Sequence, residues 1–295
     1  MWRFTIPFIL LLHLVSAPRA LGSTTRGDEV LRLSDAASFQ EGCFDGCACP
    51  ITQPLPIRGT LLLGPPIQGK MVDYREVEEV NWIVSLDGTT LHRITGSGTH
   101  LMTNTGPPVT QALELDLSID GAEPQRFFSD FVPVTPGAID VPITMHGLVC
   151  YDILIQVVAL PVPPDEIQRY ALVSGSDHVS GCFPPCKCPL RERPLVGSFD
   201  LVRTATFGTQ EEFSVIAFRA WAVGGEHTSF RGSGNYTLIQ GFAGPLDSLE
   251  LTLEINGQAP IVFDSGLNNT SAVFPDIQAV VDEIKQSVGL LRRHL

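Results

Sequence analysis

The sequence predicts an all-β fold made of two tandem homologous antiparallel domains, each a β-sandwich or a β-barrel, with a short C-terminal helix as the one departure. Three observations lead there. Apolar and polar residues alternate with a period of two: Val80, Trp82, Val84 and Leu86 are interleaved with Asn81, Ile83 and Ser85. Leu113, Leu115, Leu117 and Ile119 repeat the pattern, as do Leu249, Leu251, Leu253 and Ile255. That period puts one apolar face on a half-buried antiparallel strand. Between the strands stand Asp87-Gly88, Asp120-Gly121, Gly224-Gly225 and Asn256-Gly257. Such pairs accept the positive φ of tight hairpins and imply a meander. Finally, whole blocks of the chain recur in the same order.

The recurrence starts with Gly42-Cys43-Phe44-Asp45-Gly46-Cys47-Ala48-Cys49-Pro50, which returns as Gly181-Cys182-Phe183-Pro184-Pro185-Cys186-Lys187-Cys188-Pro189 with six of nine positions identical. Trp82 then answers Trp221, and Gly96-Ser97-Gly98 answers Gly232-Ser233-Gly234. Leu113 to Ser129 aligns without a gap on Leu249 to Ser265, with nine of seventeen positions the same. A period this long means two whole domains rather than the short units of a solenoid. The expected boundaries are 28–160 and 165–295, with Pro161, Pro163 and Pro164 at the junction. Each repeat holds some six to eight antiparallel strands, and patterning alone leaves sandwich and barrel open. The Cys-x3-Cys-x-Cys-Pro block, the Gly-Ser-Gly and the Leu-Glu-Leu-x-Leu strand resemble those of secreted bacterial proteins built from this same duplicated β-repeat. That resemblance covers most of the chain after residue 22, implies compartment and fold, and attaches no activity.

Composition narrows the function classes. The 295 residues contain 32 Asp and Glu against 19 Lys and Arg, a net charge of −13. Phosphate backbones and anionic membranes would be repelled, so neither nucleic acid nor an anionic bilayer is an expected partner. Hydrophobic residues at 44% suffice for a sizeable core and exclude wholesale disorder. Arg3, the apolar run Ile6 to Val15, and Ala20-Leu21-Gly22 form an export signal cleaved after Gly22. The run falls short of the ~20 residues that a membrane span needs, so a secreted or periplasmic chain without a membrane anchor is expected.

Seven cysteines follow: Cys43, Cys47, Cys49 and Cys150 in the first repeat, and Cys182, Cys186 and Cys188 in the second. In an exported protein they read as disulfides. One local bridge from Cys43 to Cys47 or Cys49 is expected, with one long bridge to Cys150. The long bridge would be worth up to about 4 kcal/mol. A four-thiolate metal site fits less well, because zinc knuckles favour Cys-x2-Cys pairs; no metal or cofactor is expected. Aligned on Ile139, the second repeat places Val288 opposite Cys150 and so lacks its fourth cysteine. One thiol there is odd, free or paired between molecules as a disulfide-linked dimer. Spacings of three, four and seven among Ile277, Val280, Val281, Ile284, Val288 and Leu291 predict a helix or a divergent segment over 276–292.

No catalytic set stands out. The histidines show no metal spacing, no Gly-x-Ser-x-Gly occurs, and Ser97 and Ser233 between glycines read as strand bends or bulges. Glu76, Glu78, Glu79, Glu114 and Asp116 read as the solvated face of a sheet, and only Glu114 recurs, as Glu250. Asn235-Tyr236-Thr237 and Asn268-Asn269-Thr270 are glycosylation sequons that matter in a eukaryotic host. The expectation is a secreted, non-enzymatic β-module with a surface, matrix or binding role, toward a glycan or another cell-surface polymer. The alternatives are an extracellular hydrolase of polysaccharide or ester, and a carrier of an apolar ligand. A deep cleft with two facing carboxylates would favour the hydrolase; an exposed aromatic sheet face would favour the binder.

Overall fold

The computed structural model describes residues 28–269 except 46, 174, 182–188, 226 and 243. The expected export signal, the segment 276–292 expected to be helical or divergent, and Cys182, Cys186 and Cys188 therefore lie outside the described residues. The rest is all-β, in two large antiparallel sheets. The first sheet comprises β1 (Glu29–Leu33), β2 (Ser38–Cys43), β3 (Leu55–Leu63), β4 (Val72–Leu86) and β5 (Thr89–Thr103). It continues with β6 (Thr110–Ile119), β7 (Gln125–Phe128), β8 (Val132–Pro133), β9 (Ile139–Thr144) and β10 (Tyr151–Pro161). A single turn of 3-10 helix at Pro164–Glu166 leads into the second sheet. That sheet comprises β11 (Ile167–Ala171), β12 (Asp177–Ser180), β13 (Arg191–Phe207), β14 (Gln210–Ala222), β15 (Thr228–Gly241), β16 (Gly244–Ile255), β17 (Ile261–Asp264) and β18 (Asn268–Asn269).

The pairings close the first sheet on itself. From β3 the ladder runs through β4, β5, β6, β7 and β9 to β10. β10 pairs along one edge with β9, and along the other with β2 and then β1. β1 and β2 in turn pair with β3, completing the ring. A closed ring of this size is filled by its inward side chains. Leu61, Val84, Ile94, Leu113, Leu117, Phe127, Val141, Ile143, Ile155 and Val157 are each 0% exposed in one cluster with Trp82. In the second sheet the described strands run β11-β13-β14-β15-β16-β17, with β12 also on β13 and β18 also on β16. Leu201, Val215, Phe218, Phe230, Leu251, Leu253 and Phe263 form its core.

Turns follow the expected chemistry. Asp87 and Gly88 have φ of 50° and 80° and close a two-residue hairpin between Leu86 and Thr89. Asn256 and Gly257 have φ of 53° and 70°. The Gly-Ser-Gly segments do not bulge themselves. They lie opposite bulges on the neighbouring strand, between Val77 and Val80 and between Val215 and Phe218. Glycine is needed there because a Cβ on Gly98 would collide with the backbone of Glu114 and Leu115.

Near the rim of the ring, Cys43 is bridged to Cys49 and Cys47 to Cys150, with Cα–Cα distances of 5.2 and 5.0 Å. The Cys47–Cys150 bridge spans 103 residues and ties the start of β10 to the loop after β2. Asp152, wholly buried, accepts backbone N–H bonds from Met145, His146, Leu148 and Ile153, which shapes the turn into β10.

Equal roles for the two aligned tryptophans are not observed. Trp82 stands opposite Gly59 and is 0% exposed; Ala220 stands opposite Gly197. Trp221 stands opposite Val196 and Ser229 and is 46% exposed. Pairing the tryptophans by identity slips the register by one residue relative to Gly59 and Gly197, and a one-residue slip moves a side chain to the other face. Leu115 and Leu251, by contrast, have like neighbours. Leu115 faces Gly98 and Phe127, and Leu251 faces Gly234 and Phe263. Trp82→Ala should therefore cost about 3–5 kcal/mol in denaturant unfolding, and Trp221→Ala no more than about 0.5 kcal/mol. Equal losses from the two would contradict this placement.

Candidate functional site

Chemistry-bearing side chains are mostly committed to each other. Glu79, placed on the solvated face by its sequence, is instead buried between the sheets. Its Oε2 accepts the N–H of Ala217 at 2.7 Å, and its Oε1 lies 2.5 Å from Arg219. Burial raises the Glu79 carboxyl above its ordinary value against the opposing pull of Arg219. Two more Arg–Glu pairs cross between the sheets, Arg58 with Glu212 and Arg93 with Glu250, while Arg32 holds Glu166 in the connecting turn. Arg58 also lies 4.9 Å over the ring of Phe207 and donates to Ser85. Asn81 Nδ2 donates to Gly234 O at 2.5 Å, and the Asn81 and Asn235 amides bond each other. The Asn235 sequon is thus engaged in the contact between sheets. Leu62, Val162, Val202 and Ile216 supply its apolar centre.

The other carboxylates read as a solvated sheet face do not converge. Glu76, Thr99 and Glu114 lie in one line across three strands of the first sheet, on its outer side. Glu114 is paired with Arg126, and Asp116 is exposed. Glu250, the counterpart of Glu114 by sequence, is held by Arg93, and burial raises its carboxyl. Among the described residues no group of three or more His, Cys, Asp and Glu is arranged to hold a metal ion. His100 faces inward, 4% exposed; its Nε2–H donates to Gln111 Oε1 at 3.1 Å. Tyr236, aligned with it, donates its hydroxyl to Asp247 in the same manner, and burial pushes the phenol up.

Among the described residues, one exposed apolar surface is the outer face of the second sheet near the end of β14. Trp221, in β14, and Val223, just beyond its end, are each 46% exposed on the side opposite the buried Ala220 and Ala222. Val196 of β13 pairs with Trp221 and is 44% exposed. On the other side Trp221 pairs with Ser229 of β15, whose N–H donates to Asn256 Oδ1 at 2.9 Å. One step along β14, Arg219 pairs with Arg231, and Arg231 is held at 2.7 Å by Glu254. An apolar ring is thus presented on a rigid hydrogen-bonded lattice with a polar margin, which suits stacking on a flat ligand. Sequence reasoning missed this face because it matched Trp221 to the buried Trp82. The glycine-anchored register would have placed Trp221 outside. Comparison with family models, curated proteins and solved structures found no match.

Two outcomes follow from these contacts. Glu212→Ala would leave the Arg58 cation buried without its counter-ion, and should cost about 3–5 kcal/mol in equilibrium unfolding; a loss below about 1 kcal/mol would refute the pair's burial. Burial lowers the pKa of His100 from 6.5. The folded state therefore binds that proton less readily than the unfolded chain. The associated stability is present above pH 6.5 and lost as pH falls from there through the folded value. Denaturation midpoints between pH 8 and pH 5 should fall for the parent and fall less for His100→Gln.

Proposed function

We propose that the chain is a secreted, non-enzymatic tandem β-module that binds an extracellular polymer through the outer face of its second sheet. The carrying observation is Trp221: a large aromatic left 46% exposed on a regular sheet, flanked by exposed Val196 and Val223. Aromatic anchors dominate recognition surfaces. The two disulfides are compatible with the oxidising compartment that the N-terminal signal implies. The like neighbours of Leu115 and Leu251, and the matching His100–Gln111 and Tyr236–Asp247 pairs, support the tandem duplication. Duplication gives one copy freedom to diverge as the presenting surface while the other supports it. The side chains filling the first ring speak against an apolar cargo there.

The test is retention on a panel of immobilised polysaccharides and on whole cell-wall material. The parent should be retained and Trp221→Ala should not, with unchanged circular dichroism and melting. Equal retention of both proteins, or release of reducing sugar from the panel by the parent, would overturn the reading.

A further inference from the structure

We infer that the ligand of the Trp221 face is an uncharged carbohydrate chain lying across the strands, rather than an acidic polymer or a protein. This rests on reading that face as a binding surface. Three features of the face carry it.

The first is charge. Both guanidinium groups beside Trp221 are already neutralised: Arg219 by Glu79 at 2.5 Å, and Arg231 by Glu254 at 2.7 Å. An acidic polymer would have to displace one of these partners and approach a chain of net charge −13. A neutral polyol meets no such opposition. Its hydroxyls can donate to Glu254 and accept from Arg231 without separating the pair, because each hydroxyl is both donor and acceptor.

The second is the layout of apolar and polar groups. Val196, Trp221 and Ser229 stand in register on three adjacent strands. Asn256, at the end of β16, bonds Ser229 and extends the row to a fourth strand. At about 4.8 Å per strand the row is about 14 Å long. It is apolar at Val196 and Trp221, and polar at Ser229 and Asn256. A pyranose chain has the complementary form, with C–H faces to stack on the indole and hydroxyl edges to bond the amide and hydroxyl beside it. The length suits an oligosaccharide segment rather than a single sugar.

The third is size. Three exposed apolar side chains fall far short of the ~800 Å² that each partner contributes to a standard protein interface. A narrow ligand anchored on one aromatic ring needs no more than they offer.

The experiment is affinity gel electrophoresis of the parent protein through soluble neutral polysaccharides (hydroxyethyl cellulose, arabinoxylan, galactomannan) and anionic ones (alginate, polygalacturonate), at low and high sodium chloride. At least one neutral polymer should retard the protein equally at both salt concentrations. Trp221→Ala should weaken that retardation about tenfold or more, the equivalent of one aromatic anchor. Arg231→Gln combined with Glu254→Gln should weaken it severalfold, with melting unchanged in both variants. Retardation by the anionic polymers alone, abolished by salt, would overturn the neutral-ligand inference while leaving the binding face intact. No retardation by any polymer would overturn the inference and the binding reading together. Concentration-dependent dimerisation that Trp221→Ala abolishes would assign the face to a second copy of the chain and overturn both as well.

Discussion

The structure depends on one strand being paired along both of its edges. β10 joins β9 on one side and β2 and β1 on the other, and this converts the first sheet from a twisted ribbon into a ring whose narrowest seam is the single β7–β9 pair Phe128–Thr144. Closure removes the unpaired N–H and C=O groups that make sheet edges prone to foreign pairing. It also creates an interior that must be filled, which explains why residues as large as Trp82 and Phe127 are wholly buried there. The strand is locked at its entry. Cys47–Cys150 holds the chain just before β10, and four backbone N–H groups converge on Asp152. Leu148 and Cys150 take positive φ in the same turn, a conformation that the disulfide and the buried carboxylate stabilise together.

The contact between the two sheets has a different character. Three Arg–Glu pairs and an amide pair surround a small apolar centre, so specificity there comes from charge placement as much as from apolar area. Two β-bulges meet at its heart: Glu79 and Ala217 have φ of 50° and 51°, and the carboxylate of one accepts the N–H of the other. A bulge re-aims the residues that follow it. Upstream of its bulge, β14 turns Glu212 and Ser214 toward the first sheet; beyond it, Trp221 and Val223 pass out into solvent. The first sheet buries its own outer residues Arg58 and Asn81 against the second.

Much of the fold was legible along the chain. Strict alternation at Leu113–Ile119 and Leu249–Ile255 prescribed strands with one buried face, and Asp-Gly and Asn-Gly pairs prescribed tight hairpins. These are local matters of side-chain direction and φ, and local residues decide them. The cysteine block announced bridges, although its spacing left open whether Cys47 or Cys49 takes the near partner. Ring closure was not legible, since it depends on β10 meeting strands more than a hundred residues away. Nor were the roles of Arg58, Glu79 and Glu212, because isolated charged residues look solvated until the opposite surface is known.

The sequence by itself determined the strands, their turns, the apolar face of each and the recurrence that orders them, because a period of two and a glycine's φ need no distant partner. Only the tertiary structure decided which outer face is covered and which is open. Trp82 and Trp221 look alike in the chain, yet one fills the ring opposite Gly59 and the other stands in solvent opposite Val196. The physical reason is register: one residue of slip reverses the direction of a side chain, and the anchor that sets the register is the glycine on the neighbouring strand, not the tryptophan.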